Sequence, residues 1–162
     1  MSTFNAFAQA QFAPDTAAIL IIAADTEPLE FDLIDIQHSS SLVGLQAHPP
    51  YDAIVGVDWL LLLLGQADLD PFEFSSRLTQ PKSRLILSQV FFDRATVTSN
   101  MLTNTRHPFA SVETLRQHAA QLGWELLHDE QAQTGSGALA TSDDLPLNPA
   151  DSWARHWLVF RR

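Results

Sequence analysis

The chain has 162 residues, 46% of them hydrophobic, which suits one domain with a single core and excludes a disordered chain. It has no cysteine, which excludes disulfides, zinc–thiolate centres and cysteine nucleophiles. The net charge of −10 is uneven, because residues 1–76 carry eleven acids and no Lys or Arg, whereas the remainder carries nine basic and eight acidic side chains.

The first stretch, "MSTFNAFAQAQFA", has no Lys or Arg, so a secretory leader is not expected. Phe4, Phe7, Ala8 and Phe12 recur at helical spacing, which predicts a helix or arm over residues 1–15. Pro14 and Asp15 end it. "AAILIIAA" (Ala17 to Ala24) is a short, continuous apolar run closed by Asp25, the pattern of a buried strand. "FDLIDI" (Phe31 to Ile36) is a second strand candidate. Only "DTEPLE" separates the two, less than a parallel crossover requires, so an antiparallel pair or a strand beside an extended segment is expected.

"YDAIVGV" (Tyr51 to Val57) has the continuous apolar character of a strand covered on both faces. Asp58 follows it and leads into a run of leucines that reads as a helix ending at Gly65. "DPFEFSSRLT" (Asp70 to Thr79) is a helical turn or two, with Pro71 at its first position. "SRLILSQVFF" (Ser83 to Phe92) is the next strand. "SVETLRQHAAQLG" is a helix capped by Ser111 and closed by Gly123, with Val112, Leu115, Ala119 and Leu122 on one face. "WELLHDE" is a strand, residues 133–151 form a flexible Gly/Ser/Pro-rich loop, and "SWARHWLVFRR" is a last strand. The alternation of strands and helices predicts a mostly parallel sheet covered by helices, with an antiparallel addition at its C-terminal edge.

From Tyr51 onward the sequence resembles the C-terminal half of a class I, S-adenosylmethionine-dependent methyltransferase. "YDAIVGVDWLLLLL" matches that family's strand running into a leucine helix. "LTQPKSRLILSQ" matches its "L-x-P-x-G-r-l" turn, with Ser83 at the usual glycine. "SVETLRQHAAQLGWEL" and "HWLVFRR" match its last helix and its final antiparallel strand. The resemblance implies a three-layer, Rossmann-like α/β domain spanning residues 1–162, abbreviated at the N-terminus. The family's glycine-rich cofactor loop has no counterpart here, since no glycine precedes Gly44.

Asp58 is the leading site candidate, because ligands of open α/β sheets bind at the carboxyl ends of strands. Its alternative role is to cap the leucine helix through the amides of Leu60 or Leu61. By the resemblance, Asp25, Asp35 and Asp58 are the candidate cofactor-binding residues. Asp58 and His107 are the candidate catalytic residues, His107 as a general base. The six histidines show no metal-ligand spacing, so no metal site is expected. With the glycine loop missing, the expectation is a degenerate methyltransferase-like domain that binds no cofactor. Such a domain acts by association, as a homo-oligomer or with a protein partner, and the N-terminal phenylalanines form part of the interface. The alternative is a small-molecule methyltransferase with an atypical S-adenosylmethionine loop. A third reading is another small-molecule activity in the same cleft. The acidic first half offers no cations to a phosphate backbone, so nucleic acid is not expected, and no run reaches the ~20 apolar residues of a membrane span. A soluble, cytoplasmic protein is the expectation.

Overall fold

A computed structural model describes residues 3–22, 29–31, 35–39, 50–58, 71–92, 112–136 and 152–162. Helix α1 (Phe4–Gln11) is capped by Thr3, whose hydroxyl accepts from the Ala6 amide at 3.2 Å. Strands β1 (Ala18–Ile22), β2 (Asp35–Ser39) and β3 (Tyr51–Val57) follow. Helix α2 (Pro71–Leu78) runs directly into β4 (Thr79–Phe92). Helix α3 (Val112–Gln121), β5 (Glu125–Ser136) and β6 (Ser152–Arg161) complete the order.

The six strands form one sheet in the order β2-β1-β3-β4-β6-β5. The pairs from β2 to β4 are parallel, and β6 is antiparallel to both of its neighbours. The antiparallel addition thus lies at the C-terminal side, with β6 wedged between β4 and β5 so that β5 forms the rim. One face of the sheet buries Leu20, Ile54, Leu87 and Phe160 against Phe72 of α2 and Leu115 and Ala119 of α3. The other buries Ile19, Val55, Ile86 and Val159 against Ala8 of α1. The result is the expected three-layer arrangement, with helices on both faces of a mostly parallel sheet.

Several expectations are corrected. β1 and β2 are parallel, with Ala18 opposite Asp35 and Ile22 opposite Ser39. The second strand begins four residues later than Phe31, so twelve residues connect the pair, the minimum for a crossover. Strand β5 continues through Ser136, four residues into the presumed loop, because β6 pairs with it along its length. Leu122 lies past the last turn of α3 and is exposed; Trp124 is the buried residue there. Its indole N–H donates to the Phe72 carbonyl at 3.2 Å and the Ser76 hydroxyl at 3.0 Å, tying α2 to the end of α3.

The N-terminal helix forms where the apolar spacing predicts it and packs on the chain's own sheet. Phe4 and Phe7 lie against Trp157, with ring centroids 5.9 and 5.1 Å away, and Phe12 meets Phe31 edge-on at 5.0 Å. The segment covers its own core, so burial of these rings needs no interface. Asn5 fixes its position by exchanging two hydrogen bonds with the Glu30 backbone, at 2.9 and 2.8 Å.

Candidate functional site

The chain passes from β1 to β2 on one side of the sheet and then to β3 on the other, so β1 and β3 flank a topological switch point. A crevice opens beyond the carboxyl ends of such strands, and that is where open α/β sheets bind ligands. In this sheet that position lies beyond Ile22 and Val57, the ends of β1 and β3. Gly56, level with Ile22, carries no side chain near the end of β3, a place where a ligand or backbone can approach closely.

Asp58 stands at this crevice. Its φ of +49° breaks the alternation of β3, an uncommon conformation for a residue other than glycine. Its amide donates to the Ser88 carbonyl at 2.8 Å. The carboxylate then meets Arg155 from β6 in a bidentate pair, with Nη1 to Oδ1 at 3.0 Å and Nη2 to Oδ2 at 2.9 Å. Oδ1 also accepts from the Val90 amide at 3.2 Å, and Arg155 Nη1 donates to the Ser88 hydroxyl at 3.0 Å. The pair is largely buried, with side-chain exposures of 14% for Arg155 and 11% for Asp58. The planar fork of arginine suits this geometry, and the added hydrogen bonds offset the cost of desolvating two charges. Asp58 therefore fastens β3 to β4 and β6 at the crevice wall. Its carboxylate binds these partners, and Leu60 and Leu61, the alternative cap partners, lie outside the described residues.

The other candidates are not assembled here. Asp35 is the first residue of β2 rather than a late one, which places it at the amino edge. At ~3.3 Å per residue it is about 13 Å from the carboxyl end of that strand, where Ser39 stands. Asp25 and His107 lie outside the described residues. Sequence reasoning missed Arg155 and Ser88. The register of β4 against β6, which brings Ser88 opposite Trp157 and Val90 opposite Arg155, is what joins them to Asp58. Among the described residues no cluster of three or more His, Cys, Asp or Glu could hold a metal.

A cavity of about 630 Å³ opens at the opposite, amino edge, lined by Phe12, Asp15, Asp52, Gln80, Lys82 and Arg84 among others. Asp52 there accepts from the Ala17 and Ala18 amides at 2.9 and 3.0 Å through Oδ2 and from the Gln80 side-chain amide through Oδ1. This opening is on the edge that parallel sheets do not use for ligands, and topology favours the carboxyl ends of β1 and β3.

No family model matches the sequence, and no curated protein matches it. Solved structures do match the fold. An S-adenosylmethionine-dependent methyltransferase from Mesorhizobium loti is similar over 99% of both chains, at 11% identity and a TM-score of 0.55. A proposed sarcosine dimethylglycine methyltransferase from Galdieria sulphuraria is similar over 90% of this chain and 78% of that one, at 12% identity and a TM-score of 0.51. The likeness extends through residues 1–50, where β1 and β2 supply parallel strands that the sequence resemblance did not reach. The expectation that no cofactor is bound rested on the missing glycine loop, and this likeness to S-adenosylmethionine-dependent methyltransferases overturns it. The chain has the class I fold of S-adenosylmethionine-dependent methyltransferases.

Proposed function

We propose that the protein is a methyltransferase that takes its methyl group from S-adenosylmethionine and transfers it to a small molecule. The observation that carries this reading is the fold likeness over 99% of both chains, combined with a switch-point crevice beside Asp58. When bound, the cofactor supplies an electrophilic methyl on a sulfonium sulfur. The chain's own residues have simpler tasks. Gly56 leaves room near the end of β3. The Asp58–Arg155 pair holds β3, β4 and β6 in register beside it. Asp25, three positions after β1 in the sequence, is the acid proposed for the cofactor hydroxyls. The absence of a glycine loop makes this an atypical site. A small acceptor is favoured over nucleic acid because residues 1–76 carry eleven acids and no Lys or Arg.

Isothermal calorimetry with S-adenosylmethionine and S-adenosylhomocysteine tests the reading. The expected dissociation constant is of micromolar order, about −8 kcal/mol. Absence of heat and of any thermal shift at millimolar ligand would falsify it.

A further inference from the structure

The cavity of about 630 Å³ at the amino edge of the sheet is lined by three cations, Lys82, Arg84 and Arg161. Arg84 of β4 stands directly opposite Arg161 of β6 in the antiparallel ladder. Residues so paired share a face, with Cβ atoms about 5 Å apart, and like charges there repel. Among the described residues one carboxylate compensates them. Glu125, opposite Arg161 on β5, accepts from Arg161 Nη2 at 3.0 Å. Arg84 is half-buried, and its guanidinium donates to the uncharged Gln11 carbonyl. Lys82 has no hydrogen bond or ion pair among the described residues. It is also held at φ +71°, a left-handed conformation that glycine adopts more readily. The two acids of the cavity do not cancel this charge. Both carboxylate oxygens of Asp52 accept from amides, and Asp15 is exposed and pairs with none of the three cations.

We propose that this cavity is a second binding site, for a small organic anion whose phosphate or carboxylate group lies among Lys82, Arg84 and Arg161. A half-buried charge without a counter-charge is costly, and an anion between the two arginines removes both that cost and their repulsion. The guanidinium fork fits paired oxygens of either anion. The volume falls within the ~300 to 1,000 Å³ of small-molecule sites, so it holds more than the anionic group alone, and Phe12 gives the rest of the ligand an apolar wall. The site is separate from the crevice beside Asp58. Ala53 pairs with Arg84 and Val57 with Ser88, so the two lie four residues apart along β4, about 13 Å at ~3.3 Å per residue. It has no part in methyl transfer and stands independently of the methyltransferase reading.

Amide NMR of the full chain, titrated with inorganic phosphate, glycerol 3-phosphate and succinate at constant ionic strength, locates the anion. The expected result is a saturable shift of the Lys82, Ser83, Arg84 and Arg161 amides with at least one of the three, which persists in excess S-adenosylhomocysteine. Whether glycerol 3-phosphate or succinate binds more tightly tells phosphate from carboxylate. Lys82→Gly is the decisive variant, because it removes a cation while relieving the backbone. It should weaken binding about tenfold and yet raise the urea midpoint, a combination that a purely structural lysine would not give. Arg84→Gln should weaken binding at least as much, its fold being read from the same spectrum; should it not fold, Lys82→Gly decides alone. Absence of a saturable shift with all three anions overturns the proposal. So do shifts scattered over the other surface cations, displacement by S-adenosylhomocysteine, or unchanged affinity in Lys82→Gly.

Discussion

Ser83 occupies the position where the family turn has glycine, yet no strain falls on it. The left-handed residue is its neighbour Lys82, at φ +71°. Ser83 uses its hydroxyl instead, accepting from the Gln80 amide at 3.1 Å and donating to the Tyr51 carbonyl at 3.0 Å. These bonds close the irregularity at which Thr79 pairs with Tyr51 and Arg84 with Ala53. Ser83→Ala should therefore cost ~1 to 3 kcal/mol in urea unfolding, because a buried carbonyl loses its partner. Lys82→Gly should gain up to about 1 kcal/mol by relieving the backbone. Asp58 and Arg155 give a sharper contrast. Arg155→Met leaves a buried carboxylate without its counter-charge, and should cost ~3 to 5 kcal/mol. The double variant Asp58→Leu/Arg155→Met should lose less than Arg155→Met alone. A double-mutant cycle by urea unfolding checks this, and additive losses would show that the two side chains act separately.

At the scale of elements, apolar runs were legible and polar strands were not. β3, β4 and α3 announce themselves because their buried faces must be apolar, whether continuously or at helical spacing. β2 and the far half of β5 are "DIQHS" and "QAQTGS", and nothing in such composition demands a strand. Both lie at rims of the sheet, where pairing with one neighbour suffices and side chains need not be buried. The same limit governs the site. Asp58 was found because a strand end is marked by an acid after an apolar run, but its partner is 97 residues away and is brought to it by register alone. Helix α3 allows a direct test of how far periodicity reaches. Leu115→Ala should cost ~2 to 5 kcal/mol, whereas Leu122→Ala should stay within about 0.5 kcal/mol, although both belong to the same apolar series. Thermal unfolding of the two variants decides it, and equal losses would mean that Leu122 is core after all.

For the whole molecule, the decisive contact is between the first helix and the last strands. Helix α1 lies on the sheet face that buries Ile19, Val55, Ile86 and Val159. Its Phe4 and Phe7 rings also cover Trp157, whose buried indole nitrogen has no hydrogen-bond partner among the described residues. An unpaired indole N–H is tolerable only where the surrounding apolar contact compensates for it. Removing residues 1–12 would expose the Trp157 ring and part of the aliphatic face beneath Ala8. Each apolar side chain of this size contributes ~1.5 to 3 kcal/mol when fully buried, so losing several half-covered ones should lower the melting temperature by many degrees. A large apolar patch left open on one face is also a surface that seeks another cover. Sedimentation should therefore show the shortened chain heavier than the full-length protein, with a mass that rises with concentration. If the helix served association instead, its removal would reduce the mass and leave the melting temperature nearly unchanged.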